Sequence, residues 1–554
     1  MDNPCPRGSV WGLTVRVWLA VVLSTALFGC GEDDGAEQDA EQPQALNCGV
    51  DLPRLTQRVY VATGGSDAAG CGQSTATACK TIAQGIANCA AAGCAVLVRH
   101  GLYPTTSTIA LRDAVHVVGA CRFDGEADRH YRTVINAAPQ PGTPAVSADG
   151  VNSPTVFDSI VVMGKNETVK GVASIAMVVS NSTGLTLMHS VFVAGRGGDG
   201  DLGIAPAQSP SGQGGGWGNT DGGFAPGGQG PGGPACNAAG AGAGGAGSAW
   251  QQNVVSSCGG FACDCNPSGG RIGSPGGSSG ATLGGGGGGP GTQGNACWEG
   301  VIRQGLGGQG GGGGPGASGA CSARGGVPSE DVWGSFLATS WMPSAGGSGG
   351  IGSVGSGGGG GGPGGMCTLR SGLFSWVPSW GLPGGGGGAG GCAGSGGQGG
   401  QQGGASVVLL LIASTLPLPN DTVSIVGGQG GHGGHGGTGG VGGHGGGSGG
   451  GASSIYNCTK YDSRANIGWG GAGGPGGSGG SGGAGGGGSG GNGGPSVGIA
   501  LVGGATAPGA GSVYRGFAGS GAGGGTGGSG GANDCTGATG QTGTAGGVAM
   551  LRAF

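Results

Sequence analysis

The chain has 554 residues, 159 of them Gly, with 8 % charged and 5 % aromatic residues and a formal net charge of −5. So much glycine, against a usual ~7 %, excludes a close-packed globular enzyme over the full length, and charge this sparse excludes a charge-extended disordered chain. Collagen is excluded because the glycines come in pairs rather than strict triplets and Pro numbers only 28, and no basic run points to nucleic acid.

The glycine is unevenly spread. Residues 1–194 hold 20 and the last 360 residues hold 139, so the chain divides near Gly195.

Residues 1–29 read as a leader. Arg7 and Arg16 supply positive charge, and Val17 to Phe28 is an apolar run too short and too early for a spanning helix. The run ends Leu27-Phe28-Gly29-Cys30, which resembles the lipobox of bacterial lipoproteins. The resemblance implies cleavage after Gly29, a lipid on Cys30 as membrane anchor, and, with Gly31 next, transfer to the outer membrane. A plain secretion signal is the alternative. Residues 30–56 are polar and acidic and read as a tether.

Of 18 cysteines, setting aside Cys5 and Cys30 leaves an even 16. An exported chain whose glycine raises the entropy cost of ordering gains from disulfides. Cys71 with Cys79 and Cys89 with Cys94 are close-spaced candidate pairs; the remaining connectivity is open. Cys263-Asp264-Cys265 is too tight for a zinc knuckle, so no metal is expected there.

Between residues 57 and 194 the pattern predicts a cap followed by short strands. Val59-Tyr60-Val61 is a strand, and Lys80 to Ala92 carries Ile82, Ile86, Cys89 and Ala90 at helical spacing with Gly93 as stop. Short apolar runs follow at Val96–Val98, Val115–Val118, Val134-Ile135, Ile160–Val162, Met177–Val179, Leu185–Leu187 and Val191–Val193. The order of a strand with Gly-Gly, a Cys-rich loop, a capping helix, Val-Leu-Val-Arg-His-Gly-Leu-Tyr at 96–103 and a ladder of rungs resembles pectate-lyase-like right-handed parallel β-helix proteins, especially β-helix lipoproteins of the myxobacterial type. The resemblance covers about residues 57–200 and implies an all-β solenoid whose open end is covered by the helix.

A repeat extends this pattern beyond Gly195. Ser174, Ser406 and Ser496 each precede a Val (Val191, Val423, Val513) by 17 residues, and each opens an apolar strand. A further copy begins at Val548. One strand pair cannot bury its own apolar face, so the copies are expected to stack as rungs at 405–426, 495–517 and 547–554. Three Gly-rich insertions at 195–404, 427–494 and 518–546 would then leave from one corner.

Two conformations compete for the insertions: flexible coil and a polyglycine II bundle with three residues per turn. In 427–445 the triplets place Gln429, His432, His435, Thr438, Val441 and His444 on one face, a phase that coil does not require. Glycine-rich insect antifreeze proteins look similar in this respect, and the region also resembles the Gly-rich part of mycobacterial PE-PGRS proteins. Eight tryptophans lie in this half, several in Gly-poor islands such as 332–337 and 374–380. They are expected to seal the bundle against the strands, sugar stacking being the other reading.

Signs of chemistry are few. The candidate ionisable groups among the rungs are Asp113, Asp149, Asp158, Arg112, Arg122, Arg132, Lys165 and Lys170, without a paired-carboxylate motif. Asp124, Glu126, Asp128, Arg129 and Arg132 read as a solvated cluster. His432, His435 and His444 are spaced about 9 Å per turn, too far to ligate one ion together. Gly197-Gly198-Asp199-Gly200-Asp201 does not recur as a calcium repeat would, and Gly-x-Ser-x-Gly matches such as 346–350 follow from low complexity. The expectation is a lipid-anchored outer-membrane surface protein with a structural or adhesive role toward envelope or matrix components, without catalytic residue, metal or cofactor. A polysaccharide-active enzyme or carbohydrate-binding module is the alternative, and ice ordering is a third reading that the irregular triplet residues disfavour.

Overall fold

The computed structural model describes residues 55–123, 132–218, 241–247, 311–364, 382–417, 423–453, 472–506 and 517–554, with isolated residues and short strands between them. All of these belong to one compact unit, Ala45–Phe554. The protein is mostly strand, and its principal sheets are parallel.

In chain order the first elements are β1 (Gln57–Val61), α1 (Ile82–Ala87), β2 (Cys94–Arg99), β3 (Gly101–Thr105), β4 (Ile109–Leu111), β5 (Val115–Cys121), β6 (Thr133–Ala137), β7 (Val146–Asp149), β8 (Thr155–Asp158), β9 (Ile160–Met163), β10 (Ser174–Ser180), β11 (Leu185–Met188) and β12 (Val191–Val193). The first sheet runs β1-β2-β5-β8-β11. The second runs β3-β6-β9-β12 and ends on Ser424–Val426. The third runs β4-β7-β10 and continues through Ser406–Ile412, Ser496–Val502 and Val548–Ala553. From β2 to β12 the chain visits the three sheets in the same cyclic order, so each strand lies beside the one laid down a circuit earlier.

Like residues stack on like because the pairing is parallel and in register. Val117 lies beside Phe157 and Phe157 beside Leu187. Ile135, Val162, Phe192 and Ile425 form a second column; Met177, Leu409 and Ile499 form a third. These columns meet in one buried apolar cluster. Alternate residues point outward, as the period of two requires.

The repeat is realised in the third sheet, where Ser174 pairs with Ser406, Ser406 with Ser496 and Ser496 with Val548. The 17-residue spacing slips by one at its far end: Val191 pairs with Ser424, not Val423. Ser182 and Ser414 still correspond, so the extra residue lies in the chain between Ser414 and Ser424, which is one residue longer than that between Ser182 and Val191. Val513 lies outside the described residues.

The helix is shorter than its 80–92 pattern. Thr81 caps it by accepting from the Gln84 amide, and it ends at Asn88. The Cys89–Cys94 disulfide then turns the chain into β2, which cuts the periodic run short. Ile82, Gly85 and Ile86 face the core. A Cβ on Gly85 would lie 2.6 Å from Val61 Cγ2 and 2.9 Å from Val96 Cγ1, so the helix seats closely only with glycine there. The run 96–103 divides at His100 into β2 and β3, and the short strands β4, β7 and β8 lacked a predicted counterpart.

The Gly-rich segments lie between β12 and Ser406–Ile412, between Ser424–Val426 and Ser496–Val502, and before Val548–Ala553. They are ordered by hydrogen bonds between segments at every third residue. Gly431, Gly434, Gly437 and Gly440 donate to Gly404, Gln401, Gln398 and Ser395, an antiparallel pairing. Gly388, Gly391, Gly394 and Gly397 donate to Gly477, Gly480, Gly483 and Gly486, a parallel one.

The segment around 474–494 is surrounded. Gly485, Gly486 and Gly487 donate to Gly440, Gly350 and Ala538, while their carbonyls accept from Gly531, Gly397 and Gly326. Three consecutive residues thus bond six different segments, so every backbone group of the triplet is satisfied although no side chain takes part. The packing admits nothing larger than hydrogen: a Cβ on Gly485 would lie 2.0 Å from the Ser395 oxygen.

Side chains fix which segments meet. Buried Gln402 accepts from the Ser344 amide at 3.0 Å and donates to Val332 O at 2.9 Å. Buried Asn492 donates to Ser329 O and Asp331 O and accepts from the Thr544 amide at 3.0 Å. Both hold the hairpin Ser335–Leu337/Ser340–Met342, whose Trp341 packs with Ile175, Val407 and Val497 on the outer face of the third sheet. Disulfides Cys236–Cys392 and Cys321–Cys535 add two covalent ties.

Candidate functional site

The candidate carboxylates are each engaged locally. Asp113, exposed beyond β4, accepts from the Asn152 amide (2.8 Å), the Ser153 amide (2.6 Å) and the Ser153 hydroxyl (2.8 Å). Slight burial pushes its pKa up, but the hydrogen bonds from Ser153, Asn152 and Ala114 together outweigh this and hold the carboxyl below its ordinary range. Asp149, at the end of β7, accepts from the Ser180 hydroxyl at 2.6 Å and the Asn181 amide group at 3.2 Å, which likewise lower its pKa. Both act as turn fasteners that link one circuit to the next.

Asp158 is different. It ends β8 with its side chain fully buried, and Oδ1 lies 2.9 Å from His189 Nδ1 and 3.2 Å from the Ser159 hydroxyl. Its Oδ2 is buried without a hydrogen-bond partner. Ser159 and His189 both take left-handed backbone conformations (φ 56° and 40°) at stacked turns after first-sheet strands. An Asp that orients an imidazole is chemically a base-positioning pair, and it is also a way to tie two turns together.

Lys165 reaches Glu167 at 3.5 Å and donates to Pro139 O at 3.0 Å. Glu167, a buried carboxylate that the sequence did not single out, also accepts from the Gly142 amide at 3.2 Å. Arg112, Arg122, Arg132 and Lys170 are exposed. Asp124, Glu126, Asp128 and Arg129 lie outside the described residues, as do Cys30 and the side chains of the Cys263-Asp264-Cys265 motif.

The structure joins Cys71 to Cys79 and Cys89 to Cys94. Asp67 approaches the first of these pairs closely enough to suggest a metal-binding group. Its carboxylate instead accepts from the Lys80 and Thr81 amides at 2.8 and 3.0 Å, and both sulfurs are committed to the disulfide. That donor set fits a turn fastening and not a thiolate metal centre. Ser348 lies exposed in a Gly-rich segment, without the strand-to-helix turn that a nucleophile elbow needs.

The most distinctive surface was only partly legible. His432, His435, Thr438 and His444 are exposed while the glycines at 430, 431, 433, 434, 439, 440, 442 and 443 between them are buried. Two further segments flank this row in parallel. Gly200, Gly203 and Gly212 donate to His432, His435 and His444 carbonyls, and Gly433 and Gly436 donate to Gly523 and Thr526. The rows share one face, since Asp199 Oδ1 accepts from the His432 amide at 2.8 Å and the Thr526 hydroxyl lies 2.7 Å from His435 Nδ1. At one end Trp217, 77 % exposed, lies over Gly450. The signs available in sequence were the Gly-Gly-x triplets of 524–532 and the Gly, Pro or Ser at every third position from Gly200 to Gly218.

Among the described residues no helix is long and apolar enough to cross a membrane. No known protein family, characterised protein or solved structure matches the chain.

Proposed function

We propose that the protein is a lipid-anchored surface protein with a structural or adhesive role, binding envelope or matrix components without transforming them. In this reading residues 1–29 direct export, Cys30 carries the lipid at the bacterial outer membrane, and residues 30–56 tether the folded part. The three sheets close into a right-handed parallel β-helix of the pectate-lyase-like kind, which the constant cyclic order of strands supports. The Gly-rich segments form a polyglycine II bundle, a reading supported by donors at every third residue and by six neighbours around one triplet.

One observation carries the functional reading: Asp113 and Asp149 are spent on the turns of adjacent circuits, each accepting hydrogen bonds that keep it ionised and local. Polysaccharide cleavage needs two groups turned on one bond. The Asp158–His189 pair favours a second reading, a polysaccharide-active enzyme in which His189 is the base and Asp158 its orienting partner. The test is to incubate the mature chain from residue 31 with a panel of polysaccharides, including the source's own envelope fraction, and to follow product size. Chains of unchanged length are expected. Shortened chains, lost on Asp158→Asn, would replace the adhesive reading by the enzymatic one.

A further inference from the structure

The flat face assembled from segments 199–218, 429–450 and 520–532 is built to be seen. Its backbone is held from below by hydrogen bonds at every third residue, so the exposed side chains stand on a rigid base. Along each segment they recur at about 9.3 Å, three residues of ~3.1 Å rise. This is close to the two-sugar repeat of an extended β-1,4-linked chain. Across the segments, neighbouring side chains touch, as His435 and Thr526 do.

The chemistry of the face is aromatic and hydroxylic with little charge. Trp217 leaves one ring face open while its other lies on Gly450. Leu202 and Ile204 are also exposed on the same segment as Trp217, so that the segment offers several apolar groups to the surface and not a single one. Thr438 and Thr526 supply hydroxyls, and His432, His435 and His444 supply flat rings with a polar edge. These segments carry two carboxylates: Asp199, occupied by Arg196 and by the His432 amide, and Asp201, exposed on the same segment. Such a surface suits a ligand with flat apolar faces, hydroxyl edges and no charge.

We infer that this face binds an uncharged β-linked polysaccharide, lying along the segments with its sugar rings on Trp217 and on the row of His432, His435 and His444. The inference rests on the adhesive reading and names its ligand. Flatness favours an insoluble, sheet-like polysaccharide over a single soluble chain, because three parallel rows are offered together.

The experiment is a depletion assay of the mature chain on microcrystalline cellulose and on chitin, with polygalacturonate gel as the anionic control and the source's envelope fraction in parallel. Retention on cellulose or chitin and not on polygalacturonate is expected. Trp217→Ala and His435→Ala are each expected to weaken retention about two- to tenfold, the loss expected of a stacked ring. Leu102→Ala, exposed on β3, is the control that should leave retention unchanged. Trp217→Ala should melt as the parent does because its side chain is on the surface; His435→Ala also removes the acceptor of the Thr526 amide, so its retention is read beside its melting temperature. Equal retention of parent and Trp217→Ala, or no retention on either uncharged polysaccharide, overturns the inference. Retention by the envelope fraction alone overturns it and leaves the adhesive reading standing; retention by nothing overturns both.

Discussion

The Ser182 amide donates to the Ser414 hydroxyl at 3.0 Å across 232 residues of sequence. The Ser414 hydroxyl donates to Ile412 O at 2.8 Å, and one circuit earlier the Ser182 hydroxyl donates to Ser180 O while accepting from the Val151 amide. Hydroxyls thus replace strand pairing where the chain leaves the third sheet. The long Gly-rich excursion returns in register because this column of serines continues on its far side.

Ser414→Ala should leave the buried Ser182 amide without an acceptor. An unmet buried donor costs about 1–3 kcal/mol, so the midpoint of urea unfolding should fall with its slope unchanged. Thr438→Ala, on the exposed face, should change it by less than about 0.5 kcal/mol. Equal midpoints for Ser414→Ala and the parent would remove the serine column from the account of register.

Glycines in the bundle are predicted to differ sharply by position. Gly485→Ala would drive a methyl to 2.0 Å from Ser395 O, with backbone on every side, whereas a methyl on Gly447 meets nothing within 4 Å. Overpacking of this kind costs about 1–3 kcal/mol or more. Gly447→Ala should be neutral or stabilising by up to about 1 kcal/mol, since it restricts the unfolded chain. Thermal unfolding of the two variants checks the order, and reversal of that order would exclude the close packing around Gly485.

The strand part of the fold was legible because its signals are local and repeated. Ser174, Ser406 and Ser496 open strands of similar sequence, so their alignment follows from pattern alone. The displacement of Val423 by one residue was not legible, since the chain length between Ser414 and Ser424 has no periodic mark. In the bundle the triplet phase of 427–445 foretold which face is exposed, but not which segments adjoin it. Any Gly-Gly-x segment can pair with any other, parallel or antiparallel, and the choice falls to single residues such as Gln402 and Asn492 that look like ordinary polar substitutions. Likewise Asp113 and Asp149 were visible as charges, while their use in turns depends on Ser153 and Ser180 from the next circuit.

Cys321–Cys535 closes a loop of 214 residues and ties together segments that also meet through the Ser318 hydroxyl, which donates to Asp534 Oδ2 at 2.9 Å. A cross-link over so long a loop is expected to contribute about 2–5 kcal/mol. The double variant Cys321→Ala/Cys535→Ala should unfold at correspondingly lower denaturant, by more than Cys71→Ala/Cys79→Ala, which opens a loop of 8 residues. Equal losses from the two pairs would show that loop length does not govern these ties.

His116 makes stability depend on pH above the carboxylate range. Its side chain is buried on β5, and Nδ1 accepts from the Val156 amide at 3.1 Å, which requires the neutral ring. Burial lowers its pKa from 6.5. The unfolded chain therefore takes the proton first: stability from this group is full above about pH 6.5 and is lost as the pH falls through that value toward the folded pKa. Asp113 and Asp149, whose pKa values are lowered from 3.8, act in the same direction in a separate and more acid window. The free energy of urea unfolding should thus decline between pH 7 and pH 5 in the parent. His116→Asn, whose Oδ1 can replace Nδ1 as acceptor without titrating, should reduce that decline, with His100, whose pKa burial and Arg99 also lower, supplying the remainder, and should leave the loss below pH 4 in place. An undiminished slope between pH 7 and pH 5 in His116→Asn would assign the dependence to other groups.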